Sequence, residues 1–256
     1  GSGTVYFSAG IYDLDILTLG AKVRLQIANG ATVVCNSIVI PGNSKYATIS
    51  GENKRNSVIK LQSNGNLLDF TTDQSINNNV ASNITIENIT LDGAYLESGH
   101  LINCIGHGYC TFENIFMKGL TSTGDGFHFE KSPTASVSIF DNKIVNCRID
   151  SDAGRYGYYF KSCSDFYIIE SECNGINFNM DYCIFIESCS SVTFVGGHYY
   201  NAKYNVMKML NATWGFYRFV NVNFDNALEH IVYMYGDNTI TDTSGAVGCR
   251  YTTFET

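Results

Sequence analysis

Ile84-Thr85-Ile86-Glu87-Asn88-Ile89 opens a pattern that returns along the chain. It comes back as Thr111-Phe112-Glu113-Asn114-Ile115-Phe116, Lys143-Ile144-Val145-Asn146-Cys147, Tyr167-Ile168-Ile169-Glu170-Ser171, Thr193-Phe194-Val195-Gly196-Gly197 and Arg218-Phe219-Val220-Asn221-Val222. Each copy alternates apolar and polar residues up to an Asn, Glu or Gly. Aligned on Ile86, Phe112, Ile144, Ile168, Phe194 and Phe219, the copies recur about every 25 residues, with one longer step of about 32 between Phe112 and Ile144. Self-similarity at that period is the mark of a solenoid.

A second apolar series follows each copy after about 15 to 18 residues, at Ile102, Phe129, Phe160, Ile186, Met209 and Met234, and keeps the same beat. Two or more short strands per repeat, joined by Gly, Asn, Asp and Ser, describe coils of a parallel β-helix. The runs are too short, and too rich in Ile, Phe, Tyr, Val and Thr, for amphipathic helices. Two Pro, 24 Gly, 16% charged and 13% aromatic residues fit many strands with tight turns and no disordered tail. The chain of 256 residues is read as one domain, with N-terminal coils over 1–82 and regular coils over 83–256. Residues 247–254 align with 219–226 as a seventh copy left incomplete. An open coil end exposes core and strand edges, so the chain is expected to be the middle of a longer fibre or to have that end covered by neighbouring subunits.

Composition also excludes partners. The formal net charge is −8 and the 16 Lys and Arg are scattered, so no basic stripe exists for nucleic acid. No run reaches the roughly 18 apolar residues of a membrane span, and the N-terminus lacks the form of a signal peptide, so the chain is read as already processed or excised. The nine Cys are odd in number. Cys147 and Cys173 lie one repeat apart, as do Cys163 and Cys189, and coils stacked at about 4.8 Å would bring them together as ladders of small buried thiols. Free thiols suit folding in a reducing cytosol. Cys104 and Cys110 flank His107, but no second cluster completes a zinc site, so neither metal nor cofactor is expected.

Chemistry is expected on the outer face of the second strand series. With Phe127 and Phe129 inward, period two turns His128 and Glu130 outward. Carried along the coils, this gives one outward row of Leu101, His128, Tyr159, Phe185, Lys208 and Tyr233, and another of Asn103, Glu130, Lys161, Glu187, Leu210 and Tyr235. Two readings stand side by side. In one, Glu130, Lys161 and Glu187 form a surface charge ladder contributing about 0.2 to 1 kcal/mol per pair. In the other, His128, Tyr159 and Phe185 are a platform for sugar rings, with Arg155, Tyr156 and Lys161 beside it, although an exposed aromatic strip equally suits a subunit interface.

Cleavage of a glycan needs two carboxylates. Glu130 and Glu187, two coils apart, place their backbones about 9 to 10 Å apart, near the upper limit of the roughly 6.5 to 9.5 Å of an inverting glycosidase. Asp125 and Asp181 are a second, similarly spaced pair, with Arg155 and Tyr156 between them. The longer step is assigned to a loop, Ile149-Asp150-Ser151-Asp152-Ala153-Gly154-Arg155-Tyr156, that would wall a cleft. Gly106-His107-Gly108 and Thr123-Gly124-Asp125-Gly126 are read as turns. Asn83, Asn88 and Asn211 begin Asn-x-Thr triplets but are read as stacked turn residues, and Trp214 as a packing residue.

Gly3-Thr4-Val5-Tyr6-Phe7-Ser8-Ala9-Gly10-Ile11-Tyr12 resembles the opening motif of the pectate-lyase-like superfamily, Gly-Gly-Thr-Val-Tyr-Phe-Pro-Pro-Gly-Thr-Tyr, with Ser8-Ala9 in place of two prolines. The resemblance implies an all-β, single-stranded, right-handed parallel β-helix. It is specific for fold and poor for function, because the superfamily includes lyases, hydrolases, epimerases and phage tailspikes. Among these the chain is most similar to tailspikes, which implies a homotrimer on a virion tail that binds a bacterial surface polysaccharide and cleaves it by metal-independent hydrolysis. Asp125, Glu130, Asp181 and Glu187 are the candidate acids. A secreted polysaccharide-degrading enzyme and a purely structural fibre segment are the alternatives.

Overall fold

A strand of alternating residues buries one side only, so a repeated strand can bury it by stacking on its own next copy. The computed structural model describes residues 2–70, 80–96, 99–133, 139–211, 216–235 and 251–255. In it, Ile86 lies opposite Phe112, Phe112 opposite Ile144, Ile144 opposite Ile168, Ile168 opposite Phe194 and Phe194 opposite Phe219. These strands belong to a 10-stranded sheet that begins at Gly3–Phe7 and ends at Tyr251–Glu255, and every pairing in it is parallel. The molecule is a parallel β-solenoid of about 8 turns with about 25 residues per turn.

Each regular turn has three faces rather than two. The first carries the repeat just described. The second runs from Gly10–Asp13 through Val58–Leu61, Thr90–Asp92, Phe116–Lys118, Arg148–Ser151 and Glu172–Gly175. The third includes Ile102–Ile105, Asp125–Glu130, Gly154–Lys161 and Met180–Glu187. The strand His198–Leu210 is long enough to serve the last two faces in succession. Second-face strands are short and, in the regular coils, joined to the first by two residues of which the first makes the turn, so the sequence pattern merges them with their neighbours.

That turn residue has a defined chemistry. Asn88, Asn114 and Asn146 adopt φ of 57°, 53° and 49°, a left-handed conformation that Asn tolerates better than most side chains. Their amides form a ladder: Asn114 Nδ2 donates to Asn88 Oδ1 at 2.6 Å and Asn146 Nδ2 to Asn114 Oδ1 at 3.3 Å. Stacked turn residues are what the Asn-x-Thr triplet at Asn88 reflects. Trp214 lies outside the described residues.

The core is a column of stacked side chains. Phe129 lies on Phe160 at 5.7 Å between centroids, Phe127 on Tyr158 at 5.3 Å and Phe194 on Phe219 at 5.2 Å, all fully or nearly fully buried. Each such ring contributes about 1.5 to 3 kcal/mol by burial. Among the described residues eight cysteines are free and buried. Burial pushes the thiols of Cys35 and Cys147 up to about 12. Among the described residues no helix is long and apolar enough to cross a membrane.

Four expectations are corrected by register. Ile102 pairs with Phe127, and Cys104 with Phe129, so the first coil of the second series is offset by two residues. The outward rows therefore start at Asn103 and Ile105, not at Leu101 and Asn103. Cys173 lies opposite Ile149, while the Cys147 amide donates to Ser171 Oγ, so these two thiols are not stacked partners. Residues 149–156 are not a loop: most of them belong to the strands Arg148–Ser151 and Gly154–Lys161, held by inward Ile149 and Gly154. The extra length shared by the Phe112-to-Ile144 and Phe129-to-Phe160 steps falls between the strands Asp125–Glu130 and Lys143–Val145. Finally, Phe254 pairs with Phe219, so the last first-face strand lies seven positions later than the alignment with Asn226 implies.

Candidate functional site

The third face departs from strict alternation at one place per coil, and the site stands there. Phe127 is inward, yet a Cβ added at Gly126 would also point inward, 2.7 Å from Ile149 Cδ1. At Gly157 the added Cβ would meet Cys173 Sγ at 2.3 Å. One and two coils on from Gly157, Cys183 with Ile184 and Val206 with Met207 are consecutive residues that are all fully buried. Two successive inward residues bend the strand and reset its phase. Residues three apart then share the outside: Asp125 with His128, Tyr156 with Tyr159, and Tyr182 with Phe185.

Asp125 is the centre of this arrangement, and its side chain has no exposed surface. Arg155, from the next coil, grips it with two donors, Nε to Oδ1 at 3.0 Å and Nη2 to Oδ2 at 2.8 Å. His128 Nδ1 lies 2.7 Å from Oδ2. His100 Nδ1 approaches the same oxygen at 3.1 Å but out of line for a hydrogen bond. Burial alone would raise the carboxyl pKa; the hydrogen bonds from His128 and Arg155, with His100 close by, outweigh it and hold the group well below the usual carboxylate range. Asp125 is thus a fixed, saturated anion inside a strand. It is neither a turn residue nor a carboxylate that can meet a substrate directly, as the sequence reading had it.

Around this anion the rings close on one another. His100 stacks on His128 at 4.1 Å, His128 on Tyr159 at 4.6 Å, and Tyr159 on Phe185 at 5.6 Å. Tyr156 joins from the side, 5.0 Å from Tyr159 and 4.7 Å from Phe185, with the Arg155 guanidinium 4.7 Å from its centroid. His128, Tyr159 and Phe185 are each under a tenth exposed. A sugar stacks on a ring face, and these faces are occupied by neighbouring rings, so the row presents edges and polar tips rather than a platform. Tyr233, farther along the same row, is 38% exposed.

The other carboxylates separate into distinct settings. Glu130 Oε1 pairs with Lys161 Nζ at 3.3 Å, and its Oε2 lies 3.6 Å from His128 Nε2. Glu187 instead accepts from the Tyr159 hydroxyl at 3.4 Å. Only the Glu130 half of the expected charge ladder is therefore an ion pair among the described residues. Asp181 lies opposite Arg155, one position off the Asp125 row, and pairs with Lys203 at 3.6 Å. Burial raises its carboxyl pKa, and Lys203 offsets part of that. Asp125 and Asp181 are therefore not a matched pair.

His100, Asp125 and His128 offer three donor atoms within 4.8 Å of one another. They suit a metal ion poorly. Arg155 already occupies both oxygens of Asp125, and two imidazoles stacked with planes 13° apart cannot both aim in-plane lone pairs at one ion. Sequence reasoning named neither His100 nor Tyr182, and placed Lys208 in the outward row without giving it a role. Lys208 Nζ lies 3.4 Å from Tyr182 Oη and over both the Phe185 and Tyr233 rings. The signal for Lys208 was its place in the outward row; His100 precedes its strand and has no period to reveal it.

No family model matches the chain, and no curated protein matches it. Among solved structures it is similar to ORF18 of Geobacillus virus E2, at 11% identity, 84% coverage of this chain and 54% of that one, with a TM-score of 0.34. The chain thus spans about half the length of that protein.

Proposed function

We propose that this protein is a phage tail fibre-like β-solenoid, homotrimeric on the virion, that binds a bacterial surface polysaccharide along its third face and hydrolyses it there. The observation that carries the reading is the buried Asp125, gripped by Arg155 and His128 beneath an outer surface that also bears Glu130, Lys161 and Glu187. A solenoid is stabilised by its inner column and needs no buried charge; placing one costs desolvation that only several donors offset. Clusters of that kind gather where chemistry is done. The N-terminal motif and the parallel coils support the tailspike side of the reading. The experiment is a panel of capsular polysaccharides and O-chains scored for binding and for new reducing ends, with Glu130→Gln and Asp181→Asn alongside and mass by light scattering. Binding with cleavage that falls in either variant is expected; neither binding nor cleavage across the panel would sink it.

The closed ring stack favours one second reading, a structural spike segment whose aromatic row is a stabilising ladder. Glycan binding separates the two.

A further inference from the structure

We propose that the proton acceptor of this face is Nε2 of His128, that Asp125 is a positioning residue acting through it, and that Glu187 gives the proton to the leaving group; this rests on the hydrolase reading above.

The argument starts from donors and acceptors. Asp125 is an anion with no exposed surface, and a carboxylate can only accept, so His128 Nδ1 must carry its hydrogen toward Oδ2 at 2.7 Å. In the neutral imidazole the lone pair is then on Nε2. That atom faces Glu130, whose Oε2 is 3.6 Å away and stabilises the imidazolium once it forms. Arg155 holds both oxygens of Asp125, which keeps this carboxylate from taking the proton itself. His100 covers one face of the His128 ring and Tyr159 the other, so the ring cannot swing away.

Glu130 touches His128 and is too close to it to be the opposing acid. Inversion needs the two groups about 6.5 to 9.5 Å apart, with room for water and sugar between them. Glu187 is two coils from Glu130 in the same outward row, and Tyr159 links it to the base: its ring stacks on His128 and its hydroxyl donates to Glu187. In the step, water forms a bond from its oxygen to the anomeric carbon while Nε2 takes one of its protons. The glycosidic C–O bond breaks with its electron pair on the leaving oxygen, which takes the proton of the Glu187 carboxyl. One water is consumed, nothing is oxidised, and solvent restores both groups.

The test has two arms. The first needs no substrate: nitrogen-15 NMR of histidine-labelled protein should find His128 as the Nδ1–H tautomer, a signature lost in Asp125→Asn. An Nε2–H tautomer would overturn the proposal, as would tight 1:1 binding of zinc that disappears in His100→Ala. The second uses whichever panel glycan the wild type cleaves. His128→Asn keeps a donor toward Asp125 but has no base, and should lower kcat by about 10²- to 10⁴-fold with KM unchanged and partial rescue by added imidazole. His128→Gln controls for folding. Glu187→Gln should lower kcat comparably. Cleavage that survives His128→Asn overturns this proposal and leaves the hydrolase reading standing, whereas no cleavage of any glycan overturns both.

Discussion

The first and third faces are built from the same repeat, yet one is plain and the other carries charge inside it. From Ile86 to Phe219 the first-face strands keep strict alternation, their registers run without a break, and their inward side chains are apolar. On the third face, paired inward residues at 126 and 127, and again at 183 and 184, reset the phase and let an aspartate, an arginine and two histidines meet. The lesson is that a solenoid can hold its stability in the regular faces and give over one corner to a polar cluster, because each coil is braced by its neighbours.

The largest effect should come from the regular face. Phe112 is fully buried against Phe70, Phe127 and Phe129, so Phe112→Ala should cost about 3 to 5 kcal/mol through lost burial and a cavity, read as a drop in the thermal midpoint. Asp125→Asn should cost less, about 3 kcal/mol, since Arg155 is left beside a neutral group but can reach water. If it costs more than Phe112→Ala, the cluster is a structural keystone and the contrast between the faces fails.

The same residue gives a pH signature that the apolar face cannot. The native carboxyl pKa of Asp125 is depressed, so its contribution is complete above the unfolded value of about 4 and is lost as pH falls below that toward the native value. Between about pH 5 and pH 2.5 the wild type should therefore lose more thermal stability than Asp125→Asn does. Equal losses would mean that other carboxylates govern acid unfolding.

Smaller effects sharpen the comparison. Gly157→Ala would place a methyl 2.3 Å from Cys173 Sγ, inside the paired inward step, and should cost about 1 to 3 kcal/mol while disturbing the Tyr156 and Tyr159 rings, visible in their NMR shifts. Asn114→Ala, on the regular side, should cost only about 1 kcal/mol, from a left-handed backbone that alanine dislikes and two lost amide bonds. A larger loss in the Asn114 variant than in the Gly157 variant would place the strain in the turns rather than at the bend.

Much of this was legible from residue order, and the limit is physical. Period two and a beat of about 25 residues are properties of the chain, so Ile86, Phe112, Ile144, Ile168, Phe194 and Phe219 could be aligned without coordinates. The outward placement of His128, Tyr159, Phe185, Glu130, Lys161 and Glu187 followed from the same parity. Parity could not find the two-residue offset at Ile102, because a shift of two leaves every side chain on its own face. The inserted residues are a different matter: the two long steps, Phe112 to Ile144 and Phe129 to Phe160, overlap only between Phe129 and Ile144, so residue order itself excludes 149–156, which lies in the second step alone.

The sequence by itself determined a single parallel solenoid, its beat, its inward column and the face on which polar and aromatic residues line up, because these depend only on alternation and repetition along the chain. Tertiary structure alone decided that Asp125 is a buried anion rather than an exposed acid, that the aromatic row closes on itself, and that His100 and Arg155 converge on one carboxylate. Those facts depend on which residues the coils set above one another and on a bend where two neighbours point inward, and both arise only when each coil packs on the next.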